Sequence, residues 1–230
     1  MFGLDDRIAG LGAGQTLLLV LAVAVLLGLR HATDPDHLTA VTTLVAGEGR
    51  GTGSRRAARL GLTWGLGHAT TLFLFGLPIV LFGSYLPEPA QTAAEAAVGF
   101  VIAALAVRLL VRWRHGDLAA HPHHGGRLAT RSPAQAYGIG LVHGIGGSAG
   151  VGVLLLAGIH DRVEAVVALV LFAPFTAVSM AIASTSFGYV LSRERVSRAL
   201  AALAPGLGVA SLAFGVWYAL GAVAVVPYLF

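Results

Sequence analysis

The chain has 230 residues, of which 56% are hydrophobic and 11% charged, and its mean hydropathy is +0.79. A soluble domain carries about 25% charged residues, so the composition excludes one and points to a single polytopic membrane domain over residues 1–230. The absence of cysteine excludes a disulfide framework and a thiolate metal site, and the pI near 10.1 rests on arginine alone.

A membrane-spanning helix needs about 20 mostly apolar residues. Six such runs are expected, at 15–46, 58–84, 92–113, 134–158, 163–191 and 201–228. Before the first run stand Asp5, Asp6 and Arg7 rather than a basic segment, so no cleavable signal peptide is expected.

The first run is interrupted by Gly28-Leu29-Arg30-His31-Ala32-Thr33-Asp34-Pro35-Asp36-His37-Leu38. Ionisable groups at membrane depth are costly, and by default they mark an ion or substrate pathway. Pro35 has no N–H and clashes with the carbonyl of His31 in a continuous helix, so the helix is expected to break there. Irregular backbone is tolerated at that depth where it lines a cavity. On a helix, residues 31 and 34 share a face, as do 34 and 37. Asp36 would point away from that face unless the Pro35 break redirects it.

The second run carries His68 between Thr63 and Thr71 on a glycine-rich helix. The fourth carries His143 beside Gly144, Gly146, Gly147, Ser148 and Gly150. Each histidine can serve as a further metal ligand or as a buried residue hydrogen-bonded between helices. His115, His121, His123 and His124 fall in the long third connection, Arg114–Pro133. They read either as a metal-collecting loop or as a solvated one.

Arginine placement orients the chain. Connections one, three and five carry Arg50, Arg55, Arg56, Arg59, Arg112, Arg114, Arg127, Arg131, Arg193, Arg195 and Arg198, with Arg108 close by; the opposite side has only Arg7 and Arg162. Cytoplasmic loops hold the excess of basic residues. Both termini are therefore expected outside the cytoplasmic membrane, and the pI needs no nucleic acid to explain it.

The chain also reads as duplicated. Gly28-Leu29-Arg30-His31 matches Gly140-Leu141-Val142-His143, and Val98-Gly99 matches Leu207-Gly208 at a similar spacing. Two three-helix halves, about 15–113 and 134–228, would have inverted topology, as in many transporters with interrupted helices near the midplane.

The donors available are imidazole nitrogen and carboxylate oxygen, a set suited to borderline divalent ions. The candidate metal ligands are His31, Asp34, Asp36, His37, His68 and His143, supported by Arg30, Thr33, Pro35 and Ser148. Arg30-His31-Ala32-Thr33-Asp34-Pro35-Asp36-His37-Leu38 resembles the HX4DH signature of the nickel/cobalt transporter family. Leu66-Gly67-His68-Ala69 resembles that family's LGHS-type motif, with Ala in place of Ser. The longer members have eight spans and a later acidic motif. This chain has six expected spans and His143-Gly144-Ile145-Gly146-Gly147 in that place, which is similar to the shorter UreH-like branch.

The resemblance implies a non-enzymatic secondary transporter of Ni2+ or Co2+, with uptake as the leading direction. The metal would be cargo, with no prosthetic group; membrane lipid is the other expected partner, and homo-oligomerisation stays open. No GxxxxGK[ST] motif is present to bind a nucleotide. Two alternatives stand beside this reading. One is a metal exporter or sulfite-type anion exporter of the same superfamily, with Arg30 on the anion. The other is an intramembrane metal-dependent hydrolase, for which a base such as the Glu of HExxH is missing.

Overall fold

The structure is a computed structural model and describes residues 17–46, 54–83, 87–116, 118, 131–144, 146, 153 and 156–227. These residues are helical apart from their connections, in the order α1 (Leu17–His31), α2 (Pro35–Ala46), α3 (Ser54–Phe82), α4 (Glu88–Arg114), α5 (Pro133–His143), α6 (Arg162–Ser192) and α7 (Glu194–Ala222).

Among the described residues, four stretches are long and apolar enough to cross a membrane: Ser54–Phe82, Glu88–Arg114, Arg162–Ser192 and Ala202–Ala222. α1 and α2 are long and apolar enough only together, bent by 47° at their break, as one broken span or a re-entrant loop. The break falls where Pro35 requires it. Thr33 N–H donates to the Arg30 carbonyl at 2.8 Å and Asp34 N–H to the His31 carbonyl at 3.2 Å, and Pro35 then opens α2. The His31 carbonyl that the proline was expected to free is thus taken up by a tight turn.

The fourth expected span, 134–158, does not run through as one helix. It begins as α5 on a capping box, with Ser132 Oγ accepting from Gln135 N–H and the Gln135 side chain accepting from Ser132 N–H. It then stops at His143 in a turn at Gly144. Most of 145–155, Ser148 included, lies outside the described residues. The fifth expected connection is helical after Arg193, because α7 starts at Glu194, ahead of the apolar stretch that begins at Ala202, close to the expected 201.

The helices pair as α3 with α6, α4 with α7, α3 with α5 and α1 with α6. Where two helices must cross backbone to backbone, glycine stands at the crossing, as it does in membrane bundles. A Cβ on Gly67 would strike the Tyr137 carbonyl, and one on Gly140 would strike the Trp64 carbonyl, so α3 and α5 close directly on each other. Gly99 and Gly215 do the same for α4 and α7: a Cβ on Gly99 would stand 2.7 Å from the Gly215 carbonyl, and one on Gly215 would stand 2.8 Å from the Gly99 carbonyl. One apolar core, including Val23, Leu27, Leu72, Leu169 and Phe172, fills the space between α1, α3 and α6. A second, including Val41, Leu44, Trp64, Ile102 and Met180, lies under α2, α3, α4 and α6. The polar cluster sits between them.

Candidate metal centre

His31 is the last residue of α1, and His143 is the last residue of α5. The C-terminal end of a helix carries unsatisfied carbonyls and partial negative charge, which favour a cation nearby. Asp36 and His37 lie in the first turn of α2, on the far side of the break. His68 projects from the middle of α3, held close to α5 by the Gly67–Gly140 crossing and by Thr71 Oγ1, which donates to the Leu141 carbonyl at 2.9 Å. On the other flank, Ser179 Oγ donates to the Gly28 carbonyl at 3.0 Å and ties α6 to α1.

These placements bring five side chains together. His37, His68 and His143 are fully buried, and His31 and Asp36 are each 3% exposed. The rings of His31 and His37 have centroids 4.2 Å apart, His37 and His143 4.5 Å, His31 and His68 4.8 Å, and His37 and His68 5.0 Å. His31 Nε2 and His68 Nε2 are 2.8 Å apart. His143 Nε2 lies 3.4 Å from Asp36 Oδ2, and His37 Nδ1 lies 3.2 Å from Asp36 Oδ1. Two groups of three donors result, each with its ligand atoms within 4.8 Å of one another: His31, His37 and His68, and Asp36, His37 and His143. His37 belongs to both.

Buried polar atoms are normally hydrogen-bonded, and an exception calls for an explanation such as an ion. Among the described residues, Asp36 Oδ2, His37 Nε2, His68 Nδ1 and both ring nitrogens of His143 find no hydrogen-bond partner. The concentration of such atoms in one place, with donors of one chemical kind, fits a site for a cation that takes nitrogen and carboxylate ligands.

Asp34 falls outside both groups. Its Oδ1 is 3.1 Å from Arg30 Nη2 and its Oδ2 is 3.4 Å from His31 Nδ1. A carboxylate on one ring nitrogen of a histidine fixes the tautomer and aims the other nitrogen at the metal. In this geometry it aims His31 Nε2 toward His68. Thr33 is exposed and its hydroxyl donates to the Arg30 carbonyl at 2.7 Å, closing the turn. His115 is exposed at the end of α4 and belongs to neither donor group. His121, His123 and His124 lie outside the described residues.

Two aromatic residues at the site were not anticipated. Trp64 is buried, with its ring centroid 5.8 Å from that of His37 and 5.6 Å from that of His143. It stands four residues before His68 on the same helix face, and that spacing would have found it. Phe172 of α6 lies 6.0 Å from His31, edge to face. It is distant in the chain, and no local pattern marks it.

No family profile matches the chain, and no solved structure matches it. The chain is similar to the urease accessory protein UreH of Bacillus sp. (strain TB-90), with 27% identity over 213 residues, which cover 88% of this chain and 91% of that protein. With the His31–His37 signature and the His68 motif on the helix that follows, this nearly full-length likeness supports kinship with the UreH-like nickel/cobalt transporters.

Proposed function

We propose that the protein is a secondary transporter that carries a divalent transition-metal ion, Ni2+ or Co2+, across the cytoplasmic membrane, with uptake as the leading direction. The observation that carries this reading is the buried cluster of four imidazoles and one carboxylate between the ends of two interrupted helices. His31, Asp36, His37, His68 and His143 are the ligand set. Asp34 positions His31, and Arg30 neutralises Asp34. Trp64 walls the site on the side of His37 and His143.

Six spans in two inverted halves fit this role, and the packing supports them by its reciprocity. α3 meets α6 and α4 meets α7, each helix facing its counterpart in the other half. α1 meets α6 as α5 meets α3. The Ser179 bond to the Gly28 carbonyl has its counterpart in the Thr71 bond to the Leu141 carbonyl. Gly99 and Gly215 pack on each other, and Gly208 packs on Leu110. The two cation-attracting helix ends, at His31 and His143, then belong to opposite halves. A site between the halves is the place where rocking of one half against the other exposes it to each side in turn.

The anion-exporter alternative would need Arg30 to face its substrate, but Asp34 holds Arg30 at 3.1 Å. The hydrolase alternative would need a general base, and neither donor group contains a Glu.

Uptake into proteoliposomes under an imposed proton gradient tests the proposal, with Ni2+, Co2+, Zn2+ and Fe2+ compared in parallel. Saturable entry of Ni2+ or Co2+ that is lost in His37→Ala supports it. Entry no faster than into protein-free liposomes contradicts it.

A further inference from the structure

A second feature lies apart from the histidine cluster, at the N-terminal ends of α3 and α5. Among the described residues, a cavity of about 350 Å³ is lined by Arg55, Arg56, Arg59 and Arg131, with Leu60 and Pro133 beside them. Among the described residues no Asp or Glu lines it. Arg55 and Arg59 stand one helical turn apart on α3, a spacing at which like charges repel. The first turn of α3 contains no acidic residue to offset them.

The backbone itself draws the cations together. Arg56 Nη2 donates to the Arg131 carbonyl at 3.2 Å, which pins the start of α5 to the start of α3. The Arg131 side chain is only 7% exposed. Two helix N-termini add their partial positive charge to the same space. Arginine cannot shed its charge, and its planar fork matches the oxygens of a phosphate.

We propose that this cavity binds a phosphate-bearing anion, held by Arg55, Arg56, Arg59 and Arg131, with the headgroup of an anionic phospholipid as the principal source. The cavity opens at an end of the membrane-spanning helix α3, where such headgroups lie. Basic pockets between spanning helices on the cytoplasmic side are suited to them. The site would anchor the α3–α5 crossing, and with it the position of His68 against His143. The proposal needs α3 to span the bilayer but does not rest on metal transport.

The test uses the purified full-length protein, stripped of lipid in a neutral detergent. Binding is measured by native mass spectrometry with three probes: phosphatidylglycerol, phosphatidylcholine of the same chains, and inorganic phosphate. The expected result is a preference for phosphatidylglycerol over phosphatidylcholine of roughly tenfold or more, falling by about tenfold in the Arg55→Gln/Arg59→Gln variant. Both positions are exposed, so this variant should fold, and circular dichroism confirms the helix content. Arg162→Gln, at the opposite end of α6 and also exposed, should leave the preference intact. Displacement of the lipid by millimolar inorganic phosphate, again lost in the double variant, supports the anion site with a soluble phosphate as its ligand. Equal binding of the two lipids without competition by phosphate, or full retention of the preference in the double variant, overturns it.

Discussion

His31 and His68 meet Nε2 to Nε2 at 2.8 Å, across helices that share no local sequence. The separation is that of a hydrogen bond in which one ring donates and the other accepts. It is also close to the spacing of about 2.9 Å that two imidazoles would have on one ion at right angles, with metal–nitrogen distances of about 2.0–2.1 Å. The pair can therefore exchange a shared proton for a shared metal with little movement of either helix. His68→Ala removes a ligand without touching the Pro35 break, and it should weaken Ni2+ binding by at least about tenfold. Calorimetric titration of purified, folded protein measures this.

His143→Ala tests whether the site belongs to one half or to both. His143 is fully buried and its Nε2 lies 3.4 Å from Asp36 Oδ2. The expected loss of affinity is comparable to that of His68→Ala, and flux in proteoliposomes should fall with it. Binding and flux unchanged from the native protein would confine the site to α1, α2 and α3.

Binding should also depend on pH, with a definite sign. Imidazole must be neutral to coordinate a metal, so binding releases protons and weakens as they become abundant. Acidification from pH 7.5 should therefore reduce Ni2+ affinity, and the reduction should reverse on return to 7.5. Affinity that rises as the pH falls would argue that the imidazoles are not the ligands.

The α3–α5 crossing yields a paired prediction on stability. Gly140→Ala places a methyl against the Trp64 carbonyl and within 2.9 Å of the His68 nitrogen, so overpacking should cost about 1–3 kcal/mol. Gly138→Ala, two residues away on the same helix, meets nothing within 4 Å and should be neutral or slightly stabilising. Thermal melts in detergent distinguish the two. Gly140→Ala should also weaken Ni2+ binding, because the crossing sets the distance between His68 and His143.

The orientation can be read with engineered cysteine, since the native chain has none. A cysteine at Gly125, in the connection expected to be cytoplasmic, should resist an impermeant thiol reagent in intact cells and react after lysis. Replacing His115, His121, His123 and His124 together by Ala should leave transport at saturating metal largely intact. His115 is exposed at the end of α4 and belongs to neither group of buried donors.

Much of the site was legible because its chemistry is out of place in an apolar sequence. Two histidines, two aspartates and a proline within a hydrophobic run mark both the break and the candidate ligands, and the bend falls where Pro35 demands. Spacing put Asp34 on one helical face with His31 and His37 and left Asp36 to be redirected by the break. Their roles diverge because the break leaves Asp34 in the turn beside Arg30 and carries Asp36 into α2, toward His143. The second interruption, after His143, was hidden because glycine ends a helix without the unmistakable signature of a proline. Tertiary packing decided the rest. Phe172 reaches His31 only because α6 lies along α1, and Gly99 meets Gly215 only because α4 lies along α7.

The central claim is that His31 and His37, on either side of the break, hold the metal. Titration of Ni2+ into the purified His31→Ala/His37→Ala variant at pH 7.5 tests it most directly, with circular dichroism to confirm that the helices remain. Loss of specific binding, leaving only the weak uptake of a protein whose surface histidines are intact, is the predicted result. An affinity within about threefold of the native protein, well under the tenfold that 1.4 kcal/mol would represent, would contradict it.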